Sequence, residues 1–193
     1  MDRKKVTDIS FVSSNPNKYQ EIKPILDKYE IASHFIKISL REIQSESVYE
    51  IAEEKSRYAF EQILKPTVIE DDGFYIRSWK GFPGQYSSFV YRTLGNYGIL
   101  KLMKDRVDRR AYFLSVMGYY DGHTFKKFYG KTEGVLSKVA TEGGWGFDPI
   151  FIPKNTDKTY AELVLLNRKS SFSHRCKSIK KFSKWYVSRL NPK

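Results

Sequence analysis

Along this chain the apolar residues change period, and that change limits the fold more than any single motif does. Residues 8–13 (DISFVS) read as a buried strand. After the turn SNPNK, Tyr19, Ile22, Ile25 and Leu26 recur at helical spacing to about Tyr29, with an expected kink at Pro24. A short strand is expected over residues 34–39. Residues 47–64 then set Val48, Ile51, Ala52, Tyr58, Ala59 and Ile63 along one side of a helix. Residues 67–70 return to a β-branched buried strand, continued by residues 74–78, and residues 94–103 are helical. Two aromatic-rich runs, 110–120 and 124–134, flank Asp121-Gly122, a pair that tolerates the positive φ of a tight hairpin. Residues 150–152 form a short strand. Residues 173–190 close the pattern as a helix with Cys176, Ile179, Phe182, Tyr186 and Leu190 on one face. Early alternation of strand and helix, then a late hairpin, predicts an α/β fold: a mixed sheet with helices packed on it.

At 193 residues the chain is expected to be one domain, or one domain with two lobes. A hydrophobic fraction of 40% fills a real core at this size. The single cysteine, Cys176, excludes an internal disulfide and suits a reducing cytoplasm. His34, His123 and His174 with that one cysteine offer no zinc-ligand spacing. The opening MDRKKVTDIS is charged where a signal peptide is apolar, and no apolar run approaches the roughly 20 residues of a membrane span. The expectation is a soluble cytoplasmic protein with no membrane partner. Lys and Arg number 34 against 22 Asp and Glu, a formal charge of +12. That excess welcomes anions, whether nucleic acid or free nucleotide, and is equally compatible with a solvated basic surface.

Against this basic background Glu70, Asp71 and Asp72 stand together after a β-branched run. Carboxylates at a strand's carboxyl end face the crevice where open α/β sheets take ligands, and close carboxylates repel unless a cation lies among them. Mg²⁺ suits such a group, because it prefers oxygen and uses one or two carboxylates plus substrate phosphates. A solvated acidic turn is the plainer alternative. Ser13, Ser14, Asn15, Pro16, Asn17 and Lys18 join a strand to a helix start, where backbone N–H groups and the helix dipole attract phosphate. An ordinary Asn-capped turn reads the same way. Ser47 to Glu50 matches the capping box S-x-x-E, although Glu50 also suits a second metal ligand, and Lys55 a phosphate. In GGWGFDP, glycines flank Trp145, so a purine could stack there while Asp148 and the amides of Gly146 and Phe147 read its edge. A structural turn plugged by tryptophan is the alternative. In KSSFSHR, Lys169, His174 and Arg175 crowd cations at an expected helix start, a conflict with the dipole that a bound anion relieves.

Taken in order, SSNPNKYQE, VIEDDGF, GFPGQYSSFV, TLGNYGILKL, GWGFDPIFIP, YAEL and KSSFSHR resemble the inosine triphosphate pyrophosphatases, the HAM1-like family, in an archaeal style and over nearly the whole chain. The resemblance implies an elongated mixed sheet, two lobes about a central nucleotide cleft, and a homodimer. It implies Mg²⁺-dependent hydrolysis of ITP, dITP and XTP to the monophosphate and pyrophosphate, which clears deaminated purines from the nucleotide pool. It places phosphate binding on Ser13 to Lys18, metal on Glu50 and Asp71 with Glu70 in support, and the general base on Asp71. Asp72 falls at a substrate-contacting position, Trp145 to Asp148 at the base, and Lys169, His174 and Arg175 complete the site. Three positions depart from the family pattern: Ser14 replaces a usual glycine, Asp72 a usual Ser or Thr, and Trp145 a common Phe. Two other readings compete. One is a basic protein that binds single strands through its aromatics; carboxylates lining a cleft oppose it, so no stable nucleic-acid partner is expected. The other is a related enzyme for modified pyrimidine nucleotides.

Overall fold

The computed structural model describes residues 8–190; residues 1–7, part of the segment read for a leader, lie outside the described residues. The fold is α/β. Its seven-stranded mixed sheet runs in the order β2-β1-β3-β5-β6-β7, with a short β4 on β3. Two compact units share the chain: residues 8–71, 115–130 and 175–190 in the first, and residues 72–114 and 131–174 in the second.

In the first unit, β1 (Asp8–Val12) pairs in parallel with β2 (Ala32–Ile36) and with the start of β3 (Thr67–Ile76). Between them run α1 (Pro16–Lys28), not divided at Pro24, and α2 (Val48–Ile63). The last helix, α6 (His174–Leu190), lays Cys176, Ile179, Phe182 and Tyr186 on Ile9, Phe11, Ile22, Leu26 and Val68, with Leu190 packed at the margin, so the predicted apolar face is the buried one. On α2 the buried side differs from the prediction at one turn. Ser56, bonded to the Ala52 carbonyl, is buried, whereas Tyr58 is half-buried under Arg41. Close packing is the reason: a Cβ on Gly118 of β5 (Arg110–Tyr120) would lie 2.1 Å from Ser56 Oγ, so only a small α2 residue fits.

The second unit gathers Phe74, Ile76, Val90, Ile99, Met103, Phe113, Phe147, Phe151 and Tyr160 into its own core. Its strand pairs are antiparallel: β4 (Pro83–Gly84) on the end of β3, and β7 (Phe151–Pro153) on the end of β6 (Phe125–Leu136). Helix α3 spans Ser87–Leu102, longer than the expected residues 94–103, and is broken at Gly95, whose φ of 61° is not helical. Two short helices, α4 (Tyr160–Leu165) and α5 (Lys169–Phe172), precede α6.

Two expectations need correction. Strand β3 is continuous through Gly73, so the acid triplet lies inside a strand rather than at its end. A Cβ at Gly73 would meet the Gly84 carbonyl at 2.9 Å, so glycine here admits β4 and does not stop β3. The triplet nonetheless begins where β1 stops, because the β1–β3 register ends at Val12 opposite Ile69. KSSFSHR, in turn, does not open one helix. Ser173 is extended (ψ 131°) between α5 and α6, which leaves Lys169 on one and His174 at the head of the other.

Candidate active site

The chemistry-bearing residues of the first unit collect around the Glu70–Asp71 stretch of β3. Asn15 caps α1 by accepting from the Asn17 amide at 3.0 Å, and its own amide donates to Ser13 Oγ at 3.1 Å. Pro16 follows in the first helical turn, where its missing N–H costs nothing. Ser14 and Asn17 are exposed. This folding back of the loop sends the Lys18 ammonium to Glu70, 3.3 Å from its carbonyl and 2.9 Å from its Oε2.

Glu50 lies in the first turn of α2, and Ser47 Oγ accepts from its amide at 3.4 Å. The reciprocal half of a capping box is not made: Glu50 Oε2 accepts from Ser45 Oγ at 2.6 Å, and the Ser47 amide also turns to Ser45. The Glu50 carboxylate is therefore exposed rather than spent on the cap. Lys55, from the next turn, reaches Asp71 Oδ2 at 2.7 Å and also bonds Glu42.

Glu70 is the buried member, with a side chain 0% exposed. Its Oε1 accepts from Ser115 Oγ at 2.6 Å and lies 3.2 Å from Arg175 Nε. Arg175, 1% exposed, also donates to Glu21 Oε2 at 2.7 Å. Both of its oxygens thus face a cation, and Oε1 a hydroxyl as well.

In the second unit Asp72 Oδ2 lies 3.8 Å from His174 Nε2. That imidazole is buried, stacked on Phe113 with centroids 4.6 Å apart and 6.1 Å from the Tyr160 ring. Gly144 and Gly146 take positive φ of 68° and 60°, which turns the Trp145 amide onto Asp148 Oδ2 at 3.2 Å. The same oxygen receives Lys169 Nζ at 2.8 Å, a pair almost wholly buried. Lys169 in addition sits 5.3 Å from the centre of the Trp145 ring, cation-on-face. Phe147 is a core residue stacked on Phe74 at 4.9 Å, so of the two aromatics only Trp145 offers a partly open face.

Among the described residues no group of three or more His, Cys, Asp or Glu side chains is gathered as a metal cage. Asp71 and Glu50 nevertheless fit Mg²⁺ by donor chemistry. Both offer hard oxygen donors: a cation already sits on Asp71 in the form of Lys55, and the Glu50 carboxylate is exposed on the first turn of α2. Two carboxylates are what this ion takes from protein when phosphates and water complete its shell.

Sequence reasoning missed Glu42, Ser45, Ser115 and Ser178 altogether. Glu21 stands in the SSNPNKYQE stretch and was legible as part of it; serines inside a strand or a helix carry no local signal.

A family model described as the Ham1 family matches residues 9–185. The chain is 44% identical over 180 residues to a dITP/XTP pyrophosphatase of Pyrococcus horikoshii, spanning 92% of this chain and 95% of that one. It is 38% identical over 186 residues to one of Thermococcus kodakarensis, spanning 94% and 98%. Its fold is similar to that of a HAM1 protein from Coxiella burnetii, with a TM-score of 0.80 at 25% identity over 94% of this chain and 98% of that one.

Proposed function

We infer the reaction from a plain premise: the chain belongs to the Ham1 family. It is a nucleoside triphosphate pyrophosphatase that hydrolyses non-standard purine triphosphates, ITP, dITP and XTP, to the monophosphate and pyrophosphate. The near full-length match to relatives named for dITP and XTP carries this reading.

The residue roles follow from the chemistry each side chain offers. Glu50 and Asp71 would hold Mg²⁺, which when bound neutralises phosphoryl oxygens and polarises them. Asp71 orients the attacking water and accepts its proton. The water oxygen bonds to the α-phosphorus as the bond from the α-phosphorus to the bridging oxygen breaks, and pyrophosphate leaves carrying that oxygen. Lys18 and Lys55 offset the growing negative charge, and the amides at the start of α1 receive phosphate oxygens. Movement of Lys55 from Asp71 to a phosphate would open the carboxylate to the metal.

At the base end, Trp145 stacks on the purine, with Lys169 behind it holding Asp148 in place. Deaminated purines carry an oxygen at C6 where adenine has an amine, so a donor at that spot favours them. Arg175 is committed to Glu21 and Glu70, which leaves His174 and the loop amides as the donors proposed for it. A site built around such a bond rejects the wrong partner strongly. Asp72, beside His174, contributes by fixing that ring.

We also propose the homodimer that the resemblance implies. Phe89 and Tyr97 on α3 are 60% and 79% exposed, an apolar surface that a second copy would cover. Among the described residues no helix is long and apolar enough to cross a membrane, and a cytoplasmic location is proposed on the same footing.

The test is pyrophosphate release from ITP, XTP, GTP, ATP and a modified pyrimidine triphosphate, with and without Mg²⁺. Release from ITP and XTP alone, dependent on Mg²⁺ and lowered about 100-fold or more in Asp71→Asn, is expected. Folded protein that releases nothing from any nucleotide, yet binds RNA with a steep salt dependence, would replace this reading with a single-strand binder.

A further inference from the structure

We propose that Glu70 is a positioning residue: a buried carboxylate, aimed by Ser115 and Ser178, that holds Lys18 and Arg175 where the substrate needs them. The inference deepens the pyrophosphatase reading and rests on it for the identity of the anion.

Four elements of the first unit converge on this side chain. Lys18 comes from α1, Glu70 from β3, Ser115 from β5, and Arg175 with Ser178 from α6. Lys18 Nζ lies 2.9 Å from Oε2, while Arg175 Nε lies 3.2 Å and Ser115 Oγ 2.6 Å from Oε1. Ser115 Oγ and Ser178 Oγ are 2.9 Å apart. A hydroxyl has one proton, and Ser115 commits its proton to the carboxylate. Ser178 must therefore be the donor between the two serines, and it shares that proton with the Arg175 carbonyl at 2.9 Å. The result is a chain of hydroxyls, Ser178 to Ser115 to Glu70, that ends on Oε1.

Charge explains what the chain is for. A carboxylate taken fully out of water costs several kcal/mol unless it is paired and hydrogen-bonded. Glu70 faces both Lys18 and Arg175, and Glu21 faces Arg175 as well; being itself an anion, Glu70 adds no attraction for phosphate. Its contribution is geometric. Of the two cations Lys18 alone reaches the boundary with solvent, at 14% exposure against 1% for Arg175. A free lysine on a flexible stem must be ordered when it grips phosphate; one already tethered at its nitrogen has met much of that entropy beforehand. Glu70 thus fixes the ammonium of Lys18, a residue of the first turn of α1, against β3.

The experiment compares Glu70→Gln, Ser115→Ala and a core control, Ile9→Ala, with the unaltered protein. Steady-state kinetics with XTP are run below the melting temperature of each variant. Inorganic pyrophosphate, without divalent metal, is titrated by calorimetry. Glu70→Gln is expected to raise KM about tenfold with kcat changed less than about threefold, and to weaken pyrophosphate binding by a similar factor. Ser115→Ala, which keeps both ion pairs and loses only the aim, is expected to weaken pyrophosphate about threefold. Ile9→Ala lowers the melting temperature through a cavity in the same unit and leaves KM and pyrophosphate affinity unchanged. Pyrophosphate binding by Glu70→Gln within a factor of about two of the unaltered protein, or a KM shift matched by Ile9→Ala, overturns the positioning role. Should Glu70→Gln fail to fold, Ser115→Ala decides: unchanged pyrophosphate affinity overturns the proposal. Unaltered protein that hydrolyses no nucleotide sinks the enzyme reading instead, and the pyrophosphate arm still decides this one.

Discussion

At the scale of single residues, this protein combines surface carboxylates with buried ion pairs, and the two respond differently to substitution. The Lys169–Asp148 pair is of the second kind, at 2.8 Å with both side chains under a tenth exposed. Removing one partner takes a counter-ion from the other, buried charge. Lys169→Met should therefore destabilise by about 3 kcal/mol, and the double variant Lys169→Met with Asp148→Asn should recover part of that loss. Urea unfolding of the single and double variants measures it, and a strictly additive result would show that the pair is not coupled. Asp108, by contrast, is held at about 2 by the Arg110 guanidinium and amide at the protein surface, so it is a surface feature and not a site marker.

At the scale of elements, caps and tight contacts determine how strands and helices meet. Gly118 lets α2 lie on β5: an added Cβ would be 2.1 Å from Ser56 Oγ and 3.0 Å from the Ala52 carbonyl. Gly118→Ala is expected to cost about 1–3 kcal/mol, with partial relief when Ser56→Gly is combined with it, read from paired melting curves. The hairpin between β5 and β6 is tied at Asp121. Burial pushes its carboxyl up, but the Thr124 amide, the Arg189 guanidinium and the His123 amide together outweigh burial and bring it to about 2 from an ordinary 3.8. Because the folded value is the lower one, the unfolded chain binds the proton more readily. Asp121 therefore stabilises fully above about pH 4, and its contribution is lost as pH falls through 2. Stability measured from pH 5 down to 2 should fall less steeply in Asp121→Asn than in the unaltered protein, and parallel curves would exclude the tie.

At the scale of the whole molecule, the proposed dimer makes a direct prediction: sedimentation should show twice the chain mass, and Tyr97→Glu should shift it to the monomer. A single-chain mass before substitution removes the dimer. Much of this protein was legible in sequence because the relevant interactions are local. Helical spacing placed Cys176, Ile179, Phe182 and Tyr186 on the buried face of α6, and the Ser47 and Asn15 caps act within three residues of themselves. Asp121-Gly122 placed its hairpin for the same reason, since turn conformation depends on the residues in the turn. The acid triplet was visible as a cluster but not as three different environments. Adjacent strand residues point to opposite faces, which separates Asp71, on Lys55, from its two neighbours; Glu70 entered a buried cationic network and Asp72 faced His174. The partners that decide those environments lie far along the chain: Ser115 is 45 residues from Glu70, and Arg175 is 154 from Glu21. Sequence by itself determined the elements, their caps and the order of the motifs, because those depend on neighbours a few residues away. Tertiary structure alone decided which carboxylate is buried and which is open, because that depends on what the sheet and the last helix bring against β3.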